Sequence, residues 1–325
     1  MTQWAEHGGR LEQARHGFGG ESWIDLSTGI NPHGWPGVDT VTIDWRALPD
    51  PGMLRTLEIE AARHFDADPD CVIALPGTEI GLRLLGDLLP RPLRHRWPSY
   101  RTHAEMAAGS IAIPPEGMAD AAAGTLVLAN PNNPDGQHIA AEALLALLAR
   151  MQAGNGCLVV DEAFADANPQ HSLTSHVGGD LPLVVLRSFG KFFGLAGVRL
   201  GFLLGPASLV AKLRARLGAW PVSAAGIAIG TAAYRDTGWI AATRERLPRD
   251  AAALDQVLER HGLRPTGACP LFRLIETPDA HALFERLARR SILTRPFDYD
   301  RSWLRVGLPP DADALARLNR ALANG

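Results

Sequence analysis

The sequence is poor in features that mark several common classes of protein. Its three cysteines, Cys71, Cys157 and Cys269, stand far apart and form no CxxC or Cys/His pattern, so neither a disulfide framework nor a zinc site is expected. No apolar run reaches the about 18 residues that a membrane span needs, and the opening MTQWAEHGGR contains no apolar signal core. We therefore expect no metal, no membrane partner and a cytoplasmic location.

An excess of charge of either sign is also missing. Lysine and arginine total 32 against 35 aspartates and glutamates, which gives a net charge of −3. Proteins that bind nucleic acid or an anionic membrane carry a basic surface, and the short cluster of Arg91, Arg94 and Arg96 is typical of a solvated loop. We therefore expect no nucleic-acid partner. With 325 residues and 46% hydrophobic residues, the chain can bury a large core and divide into two domains.

Lysine is the scarcest charged residue in the chain. Only Lys191 and Lys212 are present, and the other thirty basic residues are arginine. Lys212 lies in ASLVAKLRARL, which predicts an amphipathic helix with a solvated charge. Lys191 stands among aromatic residues and glycines between two apolar, strand-like runs. A lysine amine can become neutral and nucleophilic whereas a guanidinium cannot, so Lys191 is either an ordinary lysine at a strand end or a group kept for covalent chemistry.

The neighbours of this lysine favour the second interpretation. Ser188 lies three residues before Lys191, and Arg199 lies eight residues after it. The pattern S-x-x-K-x-x-x-L-x-G-x-R-x-G resembles the lysine segment of the fold type I, aspartate-aminotransferase-like enzymes that use pyridoxal 5′-phosphate (PLP). The resemblance implies that Lys191 holds PLP as a Schiff base, while Ser188 and Arg199 bind its phosphate. It also implies an α/β fold with a mostly parallel seven-stranded sheet flanked by helices and a smaller α+β C-terminal domain.

Further cofactor residues follow from the same resemblance. The segment CVIALPGTEIG predicts a strand, a glycine turn and a helix start, which is either a plain capped helix or an anion site. It is similar to the phosphate cup of the family, which implies roles for Gly77 and Thr78. Tyr100 matches the aromatic residue that stacks on the pyridine ring. Asn133, in NPNNPDG, matches the amide that bonds the PLP 3′-oxygen, and Asp161, in VVDEAF, matches the carboxylate that pairs with the pyridine nitrogen.

Two positions depart from the family pattern. Leu48 stands where related enzymes usually carry a tyrosine that reaches the PLP phosphate of the partner subunit, and Phe164 replaces a tyrosine that is common in aminotransferases. Neither replacement has a hydroxyl, so the corresponding hydrogen bonds are lost. The resemblance still implies a homodimer, because the sites of this family lie at the subunit interface.

Substrate residues are indicated at the two ends of the chain. The phrase DLSTGINPHGWP and the preceding H-G-G resemble the N-terminal loop of one branch, the L-threonine-O-3-phosphate decarboxylases of cobalamin biosynthesis, which implies substrate roles for His7 and Asn31. Arg305 lies inside the apolar run WLRVGLP, where a buried guanidinium costs several kcal/mol unless it meets an anion. It matches the family arginine that binds the substrate carboxylate, and Arg295 matches the phosphate-side arginine of the same branch. Either arginine could instead be an edge-strand residue in water.

The organisation along the chain follows from these segments. We expect an N-terminal arm over residues 1–30 associated with the small domain, a large PLP-binding domain over 31–235 and a small C-terminal domain over 236–325. Residues 1–22 are polar and rich in glycine, and they suit an extended arm better than a packed element.

The resemblance favours one reaction and leaves others open. The favoured one is decarboxylation of a phosphorylated amino acid, L-threonine O-3-phosphate, to (R)-1-amino-2-propanol O-2-phosphate. Histidinol-phosphate or a related aminotransferase is the alternative, because its motifs are nearly the same. A catalytically silent PLP-fold partner protein is a remote alternative, against which the intact Lys191, Asp161 and Asn133 argue.

Overall fold

The computed structural model of the protein describes Trp4 and residues 7–323. Strands and helices alternate along most of this length, and none of the described helices is both long and apolar enough to cross a membrane. The helices are α1 (Leu11–Phe18), α2 (Pro51–Phe65), α3 (Thr78–Leu85), α4 (Arg101–Glu105), α5 (Ala141–Ala153), α6 (Phe189–Phe192), α7 (Ala207–Leu217), α8 (Ala224–Arg235), α9 (Thr237–Arg260), α10 (Ala280–Ala288) and α11 (Ala312–Ala323). The strands are β1 (Ile24–Asp25), β2 (Val72–Leu75), β3 (Leu93–Arg96), β4 (Ile111–Ile113), β5 (Thr125–Ala129), β6 (Cys157–Asp161), β7 (Leu183–Ser188), β8 (Gly201–Leu204), β9 (Pro265–Thr266), β10 (Phe272–Glu276), β11 (Ile292–Leu293), β12 (Arg295–Pro296) and β13 (Trp303–Gly307).

The chain divides into two compact units. The large unit comprises Gly34–Asn133 and His138–Ala241, and the small unit comprises the described residues of Met1–His33, Pro134–Gln137 and Ala242–Gly325. The domain boundaries that the sequence predicts, after residues 30 and 235, stay a prediction.

A seven-stranded sheet forms the centre of the large unit. Its strand order is β2-β8-β7-β6-β5-β3-β4, and within it β8 alone runs antiparallel to its neighbours. Strands β5 and β6 are buried along their whole length and, apart from Thr125 and Asp161 at their ends, apolar on both faces, as is typical of parallel strands covered by helices. Helices α2, α3, α5 and α7 pack against the sheet. The predicted mostly parallel seven-stranded sheet with flanking helices is confirmed.

The small unit is built on antiparallel strands. The order of its four-stranded sheet is β12-β13-β10-β9, and β1 pairs in parallel with β11. Strand β13 joins the N-terminal segment as well, because the Gly307 N–H donates to the Leu26 carbonyl oxygen at 2.7 Å. This agrees with the predicted smaller α+β part at the C-terminal end.

The expectation of an extended arm over residues 1–22 is wrong for the segment Leu11–Phe18, which forms α1. The apolar residues of this segment are few but large, and they pack on other aromatic rings. The ring of Phe18 lies 5.8 Å from that of Trp4 and 6.1 Å from that of Phe284 in α10. Tertiary packing of one aromatic face therefore stabilises a helix that polar composition does not predict.

A buried ionic cluster lies where β6 and β7 end. The Arg187 side chain is 2% exposed and donates to the carboxylates of Glu162, at 3.0 Å, and of Asp166. His64 Nε2 lies 3.0 Å from the second carboxylate. Burial raises the pKa of Glu162, whereas Arg187 and His64 overcome the effect of burial on Asp166 and hold its pKa well below the usual range. The cluster ties the two strand ends and α2 together.

Replacing Arg187 by methionine is expected to lower the free energy of unfolding by about 3–5 kcal/mol, because two buried carboxylates lose their cation. Urea denaturation of the apo-protein, followed by far-ultraviolet circular dichroism, measures the change. Arg289→Met is the control, since Arg289 is 71% exposed and lies 3.9 Å from its partner Glu285; such a pair contributes about 0–1 kcal/mol. Equal losses in the two variants would contradict a structural role for the cluster.

Candidate active site

Three of the predicted cofactor residues lie at one edge of the large sheet, where parallel strands end. Asp161 is the last residue of β6, and Ser188 is the last residue of β7. Asp161 is in register with Leu186, two residues before that serine, and Lys191 follows within α6. Because the carboxyl ends of parallel strands meet at the same edge, the fold brings the carboxylate, the hydroxyl and the amine to one place.

The carboxylate of Asp161 is buried and held in a fixed orientation. Its Oδ2 lies 3.1 Å from Nε2 of His103, and its Oδ1 accepts a hydrogen bond from the Ala163 backbone N–H at 3.1 Å. The other ring nitrogen of the histidine lies 3.1 Å from the Ser99 hydroxyl oxygen. A carboxylate fixed in this way is suited to pair with a protonated ring nitrogen.

Sequence reasoning misses His103, because a lone histidine in a short helix matches no motif. The one usable signal is its spacing of three residues from Tyr100, the residue that directly precedes α4. The two rings stand edge to face, with their centroids 5.8 Å apart. His103 therefore links the predicted stacking ring to the carboxylate of Asp161.

Gly77 and Thr78 form a cradle together with Arg199. Gly77 has a φ of +92°, and a Cβ at this position would stand 2.8 Å from Nη2 of Arg199. A Cβ on Gly201, which is in register with Ser188, would stand 2.8 Å from the Thr78 backbone nitrogen. Gly77 has no side chain with which to cap α3, so the N–H groups of the first turn need another acceptor. Backbone N–H groups, a guanidinium and a hydroxyl are the donors that bind a phosphate, so the cradle fits the phosphate of PLP.

Lys191 is half-buried, and its Nζ lies 5.7 Å from the ring centroid of Phe164. The backbone after the lysine is anchored by the segment that begins the large unit. The Trp35 N–H donates to the Phe193 carbonyl oxygen at 2.9 Å, and the Trp35 indole N–H donates to Oδ2 of Asp236 at 3.0 Å. This tryptophan therefore fixes the end of the lysine helix to the junction of α8 and α9.

The loop that carries Asn133 is held by the asparagines that precede it. The side chain of Asn130 donates to the Ile139 carbonyl oxygen at 3.0 Å and accepts from the Ile139 N–H at 2.9 Å. Asn132 Nδ2 donates to the Pro98 carbonyl oxygen at 3.1 Å. These bonds keep the half-buried Asn133 close to the carboxyl end of β5, the strand that adjoins β6.

In the small unit, Arg295 and Arg305 stand directly opposite each other on β12 and β13. Arg305 is 3% exposed, its Nη2 donates to the Ser27 carbonyl oxygen at 3.0 Å, and its guanidinium lies 4.9 Å from the centroid of the Phe272 ring. Burial, and then the facing Arg295, lower the pKa of Arg305 to about 9. The surroundings therefore stabilise this cation less than water does, and an anion bound there would offset the cost.

The N-terminal H-G-G segment, His7 to Gly9, contacts the residue that also binds Arg305 in the small unit. The Gly9 N–H donates to the hydroxyl oxygen of Ser27 at 2.8 Å, and the carbonyl oxygen of this serine accepts from Arg305. His7, two residues before Gly9, is exposed. The structure thus brings the H-G-G segment and the tail arginine to one residue, Ser27.

Asn31 lies four residues further along this segment and is buried. Its Oδ1 accepts from the His33 N–H at 3.0 Å and from Nη2 of Arg246 at 3.5 Å. The first of these bonds is the turn contact that an asparagine before proline normally makes. A substrate role for Asn31 stays a prediction.

The sheet order and the residues at its edge define an aminotransferase-like α/β fold of type I. Residues 99–322 match the family model described as aminotransferase class I and II. The chain belongs to this family, and the predicted membership is confirmed.

Similar proteins extend the comparison over nearly the whole chain. The chain is 41% identical over 328 residues to a threonine-phosphate decarboxylase of Sinorhizobium sp, and the match covers 98% of this chain and 97% of that protein. It is 39% identical over 335 residues to a threonine-phosphate decarboxylase of Pseudomonas aeruginosa, with the same coverage. The crystal structure of the Sinorhizobium meliloti histidinol-phosphate aminotransferase in complex with pyridoxal-5′-phosphate superposes with a TM-score of 0.81 over 96% of this chain and 94% of that one. At 22% identity, this last likeness establishes the fold.

Arg305→Met is expected to leave the free energy of unfolding of the apo-protein unchanged or to raise it by about 1–2 kcal/mol, since a buried cation that faces a second guanidinium is removed. Urea denaturation measures the change beside Arg187→Met, which removes a buried arginine that is paired with two carboxylates. A loss of about 3 kcal/mol or more would show that Arg305 is a structural cation and would contradict an anion-binding role.

Proposed function

We propose that this protein is a PLP-dependent decarboxylase that converts L-threonine O-3-phosphate into (R)-1-amino-2-propanol O-2-phosphate and carbon dioxide, a step of cobalamin biosynthesis. The observation that carries the proposal is the 41% and 39% identity to threonine-phosphate decarboxylases over nearly the entire chain. The likeness to a histidinol-phosphate aminotransferase structure, at 22% identity, does not reach beyond the fold. The protein is thus a lyase within a family named for aminotransferases.

The cofactor residues lie within the large unit. In this proposal Lys191 supplies the amine that binds the cofactor aldehyde, and Asp161 pairs with its pyridine nitrogen. Tyr100 stacks on the ring, and Asn133 donates to its 3′-oxygen. The phosphate is bound by the cradle residues Gly77, Thr78, Ser188 and Arg199.

The substrate residues lie within the small unit. Arg305 binds the substrate carboxylate through a charge-assisted, forked contact, and Arg295 binds the phosphate. Two guanidinium groups directly opposite each other on neighbouring strands repel, and a substrate that is anionic at both ends removes this repulsion. His7 and Asn31 are assigned to the same substrate, on the resemblance of their segment to the decarboxylase loop.

The reaction follows from what these side chains hold in place. When bound, PLP would supply an electron-accepting ring that stabilises the charge left at the substrate Cα. Asp161, oriented by His103, keeps a proton at the pyridine nitrogen. Arg305 and Arg295 restrict rotation at the substrate Cα because they bind its carboxylate and its phosphate. Decarboxylation requires that this restriction select the bond to the carboxylate.

We further propose that the protein is a cytoplasmic homodimer. The support for the dimer is a segment of the large unit that exposes three large apolar side chains within nine residues. Trp45 is 77% exposed, Leu48 is 67% exposed and Met53 is 53% exposed. An exposed apolar patch of this kind marks a protein–protein contact. The partner proposed here is a second copy of the chain.

The holoenzyme is expected to release carbon dioxide from L-threonine O-3-phosphate without any added 2-oxo acid. Lys191→Ala is expected to lower this rate by about 10³-fold or more, because the amine that binds the cofactor is removed. Lys212→Ala, at the other lysine of the chain, serves as the control and keeps the parental rate, since Lys212 is exposed on α7.

The measurements are coupled carbon dioxide release and the visible absorbance of the bound cofactor. Amino transfer that depends on 2-oxoglutarate would replace the proposal by the aminotransferase alternative. If the purified parent protein binds no PLP, the result would instead support the alternative of a catalytically silent partner protein.

A further inference from the structure

Glu79 is a carboxylate in an unexpected place. It is the second residue of α3 and directly follows Gly77 and Thr78, which form the phosphate cradle. An acidic residue in the first turn of a helix interacts well with the helix dipole, but it repels a phosphate bound at the same turn. A carboxylate at this position would weaken phosphate binding, so we expect Glu79 to have a function that offsets this cost.

The contacts of Glu79 indicate this function. Its Oε2 accepts from the Tyr100 hydroxyl at 3.0 Å and from the Thr102 hydroxyl at 2.6 Å. Its Oε1 accepts from Nε of Arg83 at 2.8 Å, and Nη2 of the same arginine donates to Glu105 at 3.0 Å. Both oxygens of Glu79 are thus bound by donors, and its charge is balanced by a guanidinium one turn along α3.

The same contacts determine protonation states. Burial raises the pKa of Glu79, but the bonds from Thr102, Arg83 and Tyr100 overcome this effect and hold the pKa below its ordinary value. Burial, and then the Glu79 carboxylate, raise the pKa of Tyr100 to about 12. Near neutral pH the pair is therefore a carboxylate that accepts from a neutral phenol, a charge-assisted bond that is stronger than one between neutral groups.

The ring of Tyr100 is thereby fixed at two points. Its hydroxyl is held by Glu79, and its ring stands edge to face against His103, which contacts Asp161. Tyr100 is the residue assigned to stack on the cofactor. We propose that Glu79 is a positioning residue that fixes the stacking plane of Tyr100, while Arg83 balances its charge beside the phosphate cradle. The inference rests on the proposed function for the cofactor, but the contact between Glu79 and Tyr100 does not.

The test uses four variants and one control. Glu79→Ala and Tyr100→Phe each remove the bond, and their double variant asks whether they act through one contact. Glu79→Gln keeps an oxygen that accepts from Tyr100. Glu105→Ala is the matched control, because it removes the other carboxylate from Arg83 and leaves the bond to Tyr100 in place.

In the holoenzyme, the visible circular dichroism of bound PLP reports the orientation of its ring. Glu79→Ala and Tyr100→Phe are expected to change this band alike and to weaken PLP binding by about three- to tenfold. The double variant is expected to add little to either single change. Glu79→Gln and Glu105→Ala are expected to keep the parental band. A purely structural role for Glu79 would lower stability in urea and leave the band of the folded holoenzyme unchanged.

A second measurement needs no cofactor. The chain has three tyrosines, so apo-protein labelled with 3-fluorotyrosine gives three ¹⁹F resonances, and Tyr100→Phe identifies that of Tyr100. This resonance is expected to move in Glu79→Ala and to stay near its parental position in Glu105→Ala.

The two measurements separate the possible failures. If the resonance moves but the band of bound PLP does not, the contact exists without positioning the cofactor, and the inference is overturned. If the resonance does not move, the contact itself is absent and the inference fails with it. If the parent binds no PLP, the proposed function falls first and takes the inference with it.

Discussion

The guanidinium of Arg187 lies between two buried carboxylates. The positions of the candidate site residues at the carboxyl edge of the large sheet depend on this arrangement. Its partner Glu162 directly follows Asp161, and Arg187 itself directly precedes Ser188. Any shift of this ion pair would therefore move the acid that ends β6 and the hydroxyl that ends β7. Since the charges are fully buried, neither partner can leave the other without a large cost. The cluster fixes the spacing of functional groups that do not themselves touch it.

A second buried arginine shows the opposite design. Arg187 is surrounded by carboxylates, whereas Arg305 faces another guanidinium and has a pKa lowered to about 9 by burial and by Arg295. The first arrangement is complete within the protein. In the second, burial and the facing Arg295 outweigh the groups that favour the cation, which supports the anion-binding role proposed for Arg305. Arg187 and Arg305 are thus almost equally buried, but their surroundings stabilise the two cations to different extents.

Much of the large unit could be predicted from the sequence, because its signals are local. A few neighbouring residues are enough to predict a strand that ends in Asp161, a glycine turn before Thr78 and a lysine after Ser188. The partners of these groups were not predictable in the same way. His103 reaches Asp161 across 58 positions and Arg187 reaches Asp166 across 21, and such distances are set by the sheet order and not by any motif.

The same limit applies to the small unit. The pairing of Arg295 with Arg305 depends on the register between β12 and β13, which alternating residues alone do not fix. The sequence does not predict helix α1, because the stability of this helix comes from the packing of Phe18 on Trp4 and Phe284, and the polar composition of the segment does not indicate that contact.

The division of the chain into two units bears on how one fold supports two reactions. The groups of the large unit that are assigned to the cofactor would serve a decarboxylase and an aminotransferase alike, so Lys191 and Asp161 do not distinguish the two reactions. What differs must be the restriction on the substrate itself. In this chain the groups assigned to that task, Arg295, Arg305 and the segment around Ser27, belong to the small unit. Reaction specificity is therefore expected to reside in a few anion-binding side chains outside the sheet, which can change while the cofactor site stays the same.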